Sequence, residues 1–276
     1  MSERIKATAK EEGQRVKKLT TEAVQSQAYL YPIKGVIYFA SHRSLWKPLM
    51  SKIVPCITMG VGIFTSMFFF TYLPQAAVLA IFNGPIAAVT TALLVLSEAS
   101  TIFMVAAKAF LIEDSLVDTF DGTLVSKGQT ELIASNRQVK SGSDPIARLG
   151  KLVSKPFQRF TPSAIIRYFM YLPLNFIPVV GTVIFVILQG KRNGPTLHQR
   201  YFQLKGMNKS RQDDFVEQRT GAYTGFGVVS TLLEMVPVVG IFFAFTNQTG
   251  AALWAADMEA RDTTAPALRE QAKKAM

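Results

Sequence analysis

What most limits the folding of this chain is a lack of charge. Between Lys52 and Glu98 lie 45 consecutive uncharged residues, Ile53 to Ser97. Two shorter gaps follow, Tyr168 to Gly190 with 23 residues and Met235 to Ala256 with 22. Largely apolar stretches of about 18 or more residues without charge read as membrane-embedded. Only 18% of the 276 residues are charged, against roughly a quarter in soluble domains. An ordinary soluble enzyme, a disordered chain and a secreted disulfide scaffold are thereby excluded.

The charges that remain are 30 basic and 19 acidic, a net +11. Nucleic acid is not the expected partner, since no zinc spacing or RNA-binding aromatic motif accompanies the basic residues. They flank the apolar runs instead, as cytosolic anchors next to anionic lipid do. The single cysteine, Cys56, makes neither an internal disulfide nor a cysteine metal cluster. The first 27 residues mix acids and bases without an apolar core, so no cleavable signal peptide is expected and the first embedded run would direct insertion.

Ile53 to Ile112 is too long for one crossing, since about 20 residues span the hydrocarbon. Breaks are expected at Leu73-Pro74 and Asn83-Gly84-Pro85, because proline lacks a donor and disfavours helix at the preceding residue. The spacing predicts helices over roughly 53–80 and 86–112, joined by an uncharged turn. Before this block, residues 1–27 read as a weakly amphipathic helix. Residues 28–50 mix Tyr29, Tyr31, Tyr38 and Trp46 with basic residues, as an interfacial element does. After it comes a polar stretch with a loop at SGSDP. Ile146, Leu149, Val153, Phe157 and Phe160 then recur at helical spacing among Arg148, Lys151, Lys155 and Arg159. This predicts a cationic amphipathic helix over 146–160, either lying on the membrane surface or packed on the bundle.

A short motif occurs twice. Asn175–Phe185 reads NFIPVVGTVIF and Glu234–Ala244 reads EMVPVVGIFFA, with Pro178 and Pro237 59 positions apart. Proline ends or kinks a first arm, and Gly181 and Gly240 tolerate the backbone angles of a reversal. Arms of ~10 to 14 residues reach only ~15 to 20 Å and cannot cross a ~30 Å core. The two units then read as re-entrant hairpins with Asn175, Pro178, Gly181, Glu234, Pro237 and Gly240 at their tips; two kinked crossings are the alternative. Charge favours the hairpins. Residues 1–52 carry ten bases and four acids, 113–167 eight and six, and 191–222 seven and three. Single crossings would put the last two segments on opposite sides, whereas hairpins keep every charged segment on one side, as the positive-inside rule prefers.

The expected fold class is an all-α integral membrane protein: two long transmembrane helices plus two hemi-penetrating helical hairpins, with amphipathic interfacial helices. Its segments are 1–52 (cytosolic and interfacial), 53–112 (transmembrane hairpin), 113–160 (cytosolic loop with the basic helix), 161–190 (first re-entrant hairpin), 191–222 (basic cytosolic segment), 223–256 (second re-entrant hairpin) and 257–276 (cytosolic tail). Glu98, Lys108 and Glu234 are the embedded or border charges, and such residues usually pair or face a cavity. Glu234 is expected to hydrogen-bond the opened backbone and lock its tip; gating or lining a pore is the alternative. His42 and His198 read as interfacial or loop residues. No phosphate loop, HExxH or nucleophile elbow occurs, so no enzyme, cofactor or metal is expected. Lys273 and Lys274 match a dilysine ER-retrieval signal. Of the sequons at Asn208 and Asn247, the first is expected to be cytosolic and the second buried, hence both unmodified.

Phe226 to Glu259, FGVVSTLLEMVPVVGIFFAFTNQTGAALWAADME, resembles the membrane family that includes the etoposide-induced ER proteins and the bacterial CysZ sulfate permeases. Leu174 to Gly206 resembles the fungal branch of that family, whose members are described as outer-spore-wall assembly and lipid-droplet proteins. The resemblance covers roughly residues 30–260. It implies two long transmembrane helices with two pairs of hemi-penetrating helices, and location in the ER and lipid droplets. The implied function is organisation of membrane or lipid, in fungal spore-wall formation; a CysZ-type anion (sulfate) permease and an adaptor docking through the basic helix are the alternatives. Membrane lipids are the expected partners, with a homo-oligomer and a small anion also compatible.

Overall fold

In lipid a backbone amide has no partner but another amide, so the long uncharged run must hydrogen-bond to itself. It does so as helix. The computed structural model describes residues 20–134, 136–152, 180–236 and 239–274. In chain order its main elements are α1 (Tyr31–Ser41), α2 (Trp46–Met50), α3 (Ile53–Asn83), α4 (Ala87–Ala107), α5 (Glu113–Ser126), α6 (Thr130–Ala134), β1 (Arg137–Val139), β2 (Leu149–Leu152), α7 (Val180–Leu197), α8 (Gln199–Leu204), α9 (Lys209–Glu217), α10 (Thr220–Glu234) and α11 (Gly240–Lys274).

Helices α3 and α4 form the expected antiparallel pair, turning at Gly84–Ile86. Gly84 sits at φ 54°, which its missing Cβ permits. The second expected break does not occur: α3 runs through Pro74 to Asn83. Inside a membrane no water competes for the carbonyl that proline frees, so continuing the helix costs less than opening it. Along α4 the buried residues are Ala87, Thr91, Val95, Ala99, Phe103 and Ala107, every fourth position, a single stripe. The α4 residues off that stripe are partly or fully exposed. Phe69, Phe70, Leu73, Ile81, Phe82 and Phe110 are each at least 70% exposed. Ile53–Ser126 is long and apolar enough to cross a membrane, and an exposed apolar surface of this extent marks an interaction site such as lipid. Among its described residues the chain is an all-α membrane protein apart from one small β-hairpin.

The rest packs around α11. Its first half crosses α1 so closely that a Cβ on Gly35 would lie 2.2 Å from the Thr246 carbonyl oxygen. Phe39 meets Phe242 edge-on, and Tyr31 stacks on Trp254. Tyr31 therefore lies in the core, not at the headgroup level expected for it. Helix α5 packs on the other side of α11. It belongs to a segment read from sequence as a cytosolic loop, yet Val117 through Val125 is almost wholly buried. The base of the α3–α4 pair joins this core through Phe103, Ala107 and Ile112 against Ile241, Ala244 and Phe245.

The helix expected over 146–160 is a correction as far as Leu152. Residues 137–139 and 149–152 pair as an antiparallel hairpin, Arg137 opposite Leu152 and Val139 opposite Leu149. The SGSDP loop joins the strands, with the Asp144 carboxylate accepting from the Ile146 and Ala147 amides. The Lys47 ammonium pairs with Asp144 and holds its carboxyl below the usual range. Gly150 is a poor helix residue and lies against the Gln138 carbonyl, so tertiary pairing overrides the helical period. Arg148 donates to the Lys140 carbonyl, and Lys151 lies on β2. Lys155 and Arg159 lie outside the described residues.

Candidate functional site

Helix α7 is described from Val180, one residue before Gly181, and α11 begins at Gly240. Asn175, Pro178 and Pro237 lie outside the described residues, as does the first arm of the first unit. In the second unit α10 ends at Glu234 and α11 starts six positions later. A Cβ on Gly240 would lie 2.5 Å from the Glu234 carbonyl oxygen, so the two helix ends close on each other.

Two of the charges read from sequence as embedded or border residues meet here. Lys108 Nζ donates to Glu234 Oε2 at 2.6 Å, and Asn247 Nδ2 donates to Glu234 Oε1 at 3.2 Å. Among the described residues Glu234 is thus held by side chains of α4's extension and of α11. Lys108 opens a π-helical turn, Lys108–Ile112, where α4 runs on toward α5. Such turns recur at functional positions. Asn247 also donates to the Ser230 carbonyl, which fixes its amide orientation. Among the described residues its Oδ1 and the Ser230 hydroxyl are buried without a hydrogen-bond partner. The third embedded charge, Glu98, lies apart and accepts from Gln75 Nε2 at 2.8 Å.

The α7–α10 pair carries this tip. Gly190 and Gly194 of α7 meet α10 backbone to backbone: a Cβ on Gly194 would lie 2.1 Å from the Tyr223 carbonyl oxygen, and one on Gly227 would lie 1.9 Å from that of Gly190. Small residues at four-residue spacing permit this approach within membranes. At the polar end of α7, in the turn before α8, His198 is fully buried. Its Nε2 lies 2.9 Å from the Ala251 carbonyl, which can only accept, so Nε2 carries the proton and Nδ1 accepts from the Tyr223 hydroxyl at 2.9 Å. Trp254, Tyr223 and Tyr201 enclose the ring at centroid distances of 4.6, 5.4 and 5.6 Å. Burial pushes its pKa from 6.5 down to about 4.

The sign follows. An unfolded chain protonates His198 below 6.5 while the folded one resists, so the stability it contributes is present above that pH and falls toward 4. Between pH 6.5 and 5 the expected loss is about 2 kcal/mol. Thermal unfolding of the detergent-solubilised protein across that range, beside a His198→Phe variant, reads it out. A variant with the same pH slope as the natural chain would assign the loss to other groups.

A second buried polar cluster escaped sequence reading. Asp121 Oδ1 and Oδ2 accept from Arg200 Nε at 2.8 Å and Nη2 at 2.7 Å, and Arg137 Nη1 adds a third bond at 3.1 Å. Arg137 Nη2 also pairs with Asp118 at 2.7 Å without hydrogen-bond alignment. The cluster ties α5, β1 and α8 together. Asp118 and Asp121, three apart in a stretch free of proline, were a faint signal of a polar helix face; nothing local pointed to Arg137 or Arg200. Lys273 and Lys274 fall in the last turn of α11, and their side chains lie outside the described residues.

Comparison with known proteins gives a family description, sulfate transporter CysZ/etoposide-induced protein 2.4, matching residues 31–244. The chain is 23% identical to the outer spore wall protein RRT8 of Saccharomyces cerevisiae, over 86% of this chain and 74% of that one. It is 22% identical to the outer spore wall protein LDS1 of the same yeast, over 86% of this chain and 72% of that one.

Proposed function

The chain belongs to the sulfate transporter CysZ/etoposide-induced protein 2.4 family, and on that premise we propose that it is a non-enzymatic protein of the ER and lipid droplets that organises membrane or lipid, in spore-wall assembly. The observation that carries this is the outward apolar surface of α3 and α4, which continues around the uncharged turn at Gly84–Ile86. No charged mass has to pass the far side of the membrane, so the same element suits a bilayer and the phospholipid monolayer of a droplet. The spore-wall relatives supply the process.

The topology proposed with it has α3 and α4 as two crossings and the PVVG units as re-entrant hairpins, with the charged segments cytosolic. Helix α10 has 15 residues, roughly 22 Å, too short for a ~30 Å core. That length supports the re-entrant reading of the second unit. Single-cysteine labelling in 113–152 and 191–222, with Cys56 replaced, tests it: labelling from the cytosolic side alone is expected, and luminal labelling of either segment removes the model of one-sided entry.

Anion permeation is the competing reading, and the tip argues against it. Glu234 neutralises Lys108, so the cation described at this tip is already matched by an anion. A fluorescent fusion is expected on the ER and, after oleate loading, on droplets. Liposomes holding the purified chain are expected to pass sulfate no faster than empty ones. Droplet exclusion together with sulfate flux lost in Glu234→Gln would reverse the choice.

A further inference from the structure

Where α7 leaves the apolar zone, a half-open cleft of about 840 Å³ is walled by the helical residues 20–26, α7, α8, α9 and α10. Among the described residues six charges line it: Lys191, Arg192 and Lys209 against Glu22, Asp213 and Glu217. This described lining is balanced in sign and strongly bipolar. Lys209 and Asp213 pair with each other. Among the described residues no ion pair engages Lys191, Glu22 or Glu217, so the cleft presents a cation and two carboxylates to whatever enters.

The wall of α7 runs out of the cleft onto an apolar surface. Ile187 and Leu188 are 47% and 45% exposed. Lys191 stands four and three positions beyond them, and Pro195, also in the wall, four beyond that. Residues at three and four positions share a helix face. One stripe thus passes from exposed aliphatic side chains, over roughly 6 Å of helix rise, to an ammonium and then into the cleft. That sequence of surfaces matches an amphiphile lying with its chains along Ile187 and Leu188 and its headgroup inside.

We propose that this cleft binds the headgroup of a zwitterionic aminophospholipid, a phosphatidylethanolamine. This rests on the reading that the chain works on lipid. Lys191 takes the phosphate, and Glu22 and Glu217 take the ammonium. An anionic headgroup would leave the two carboxylates unmatched. A choline group, which has no N–H to donate, suits an aromatic cage rather than carboxylates, and the described wall offers Phe202 as its one ring.

The test uses the full chain in detergent and native mass spectrometry, with equal amounts of palmitoyl-oleoyl phosphatidylethanolamine, phosphatidylcholine and phosphatidylglycerol, and separately with water-soluble phosphoethanolamine. One ethanolamine lipid is expected to be retained about tenfold more than either other lipid, corresponding to about 1.4 kcal/mol. Lys191→Ala and Glu217→Gln are each expected to lower that retention about tenfold, with unfolding midpoint and circular dichroism unchanged. Equal or greater retention of the other lipids overturns the proposal. So does phosphoethanolamine binding as strongly as the lipid, which would mark a soluble ligand, or retention unchanged in both variants. Lys191→Ala still reaching droplets after losing the lipid would leave the broader reading intact, and loss of lipid selectivity in the natural chain would remove the cleft alone.

Discussion

Asp121→Asn is expected to destabilise the protein by about 3–5 kcal/mol, the cost of stripping one partner from a buried ion pair. Arg200 is 2% exposed and Arg137 6%, so neither guanidinium can turn to water when the carboxylate disappears. Asparagine keeps the shape and one acceptor oxygen but offers no charge to either arginine. A domain's whole stability is about 5–15 kcal/mol, so the variant should sit at the edge of folding. Its unfolding midpoint in detergent, with gel-filtration recovery, measures this. The paired variant Asp121→Asn with Arg200→Met should recover part of the loss, because an apolar side chain then fills a site left with less excess charge. Lys209→Ala is the control. Its ion pair with Asp213 is solvent-exposed, and exposed pairs are worth at most about 1 kcal/mol. An unchanged midpoint for Asp121→Asn would mean the cluster is hydrated and carries no such weight.

Gly227→Ala should be nearly as damaging, at about 3 kcal/mol, the upper end of overpacking costs. The added methyl would lie 1.9 Å from the Gly190 carbonyl oxygen and 2.7 Å from the Gly194 amide. Both are backbone atoms, so no rotamer change relieves the contact and α7 must part from α10. Separation would also disturb the tip that Glu234 closes and the cage around His198, since both are built on these helices. Gly62→Ala gives the contrast. It lies within α3 with nothing within 4 Å of its would-be Cβ, and should gain up to about 1 kcal/mol from helix propensity. Equal midpoints for the two variants would show that α7 and α10 do not pack as described.

The part of this site that could be read locally was the part made by local chemistry. The second PVVG lies between the end of α10 and the start of α11, because the end of one helix and the beginning of the next are written in neighbouring residues. Glu234 drew attention as a charge bordering an apolar run, and it does pair. Its partner Lys108 is 126 positions away, and Asn247 looked like a buried sequon rather than a ligand of that carboxylate. The expected amphipathic helix shows the opposite limit. Ile146, Leu149 and Val153 keep a helical period, but Leu149 pairs with Val139 and the Arg137 side chain ties to the Gly150 carbonyl at 2.6 Å. A periodicity of a few residues carries no information about a strand ten positions upstream.

From its amino acids alone this chain was bound to enter lipid, to do so as helix, and to turn at Gly84-Pro85, since each follows from solvation of side chains and backbone over a few consecutive residues. Only the folded arrangement decided that α5, polar by composition, would lie at the centre. Its carboxylates meet arginines that arrive from 16 and 79 positions away. Burying a charge is tolerable only once its counter-charge is in place, and which residues come together depends on the packing of helices that no short stretch of sequence encodes.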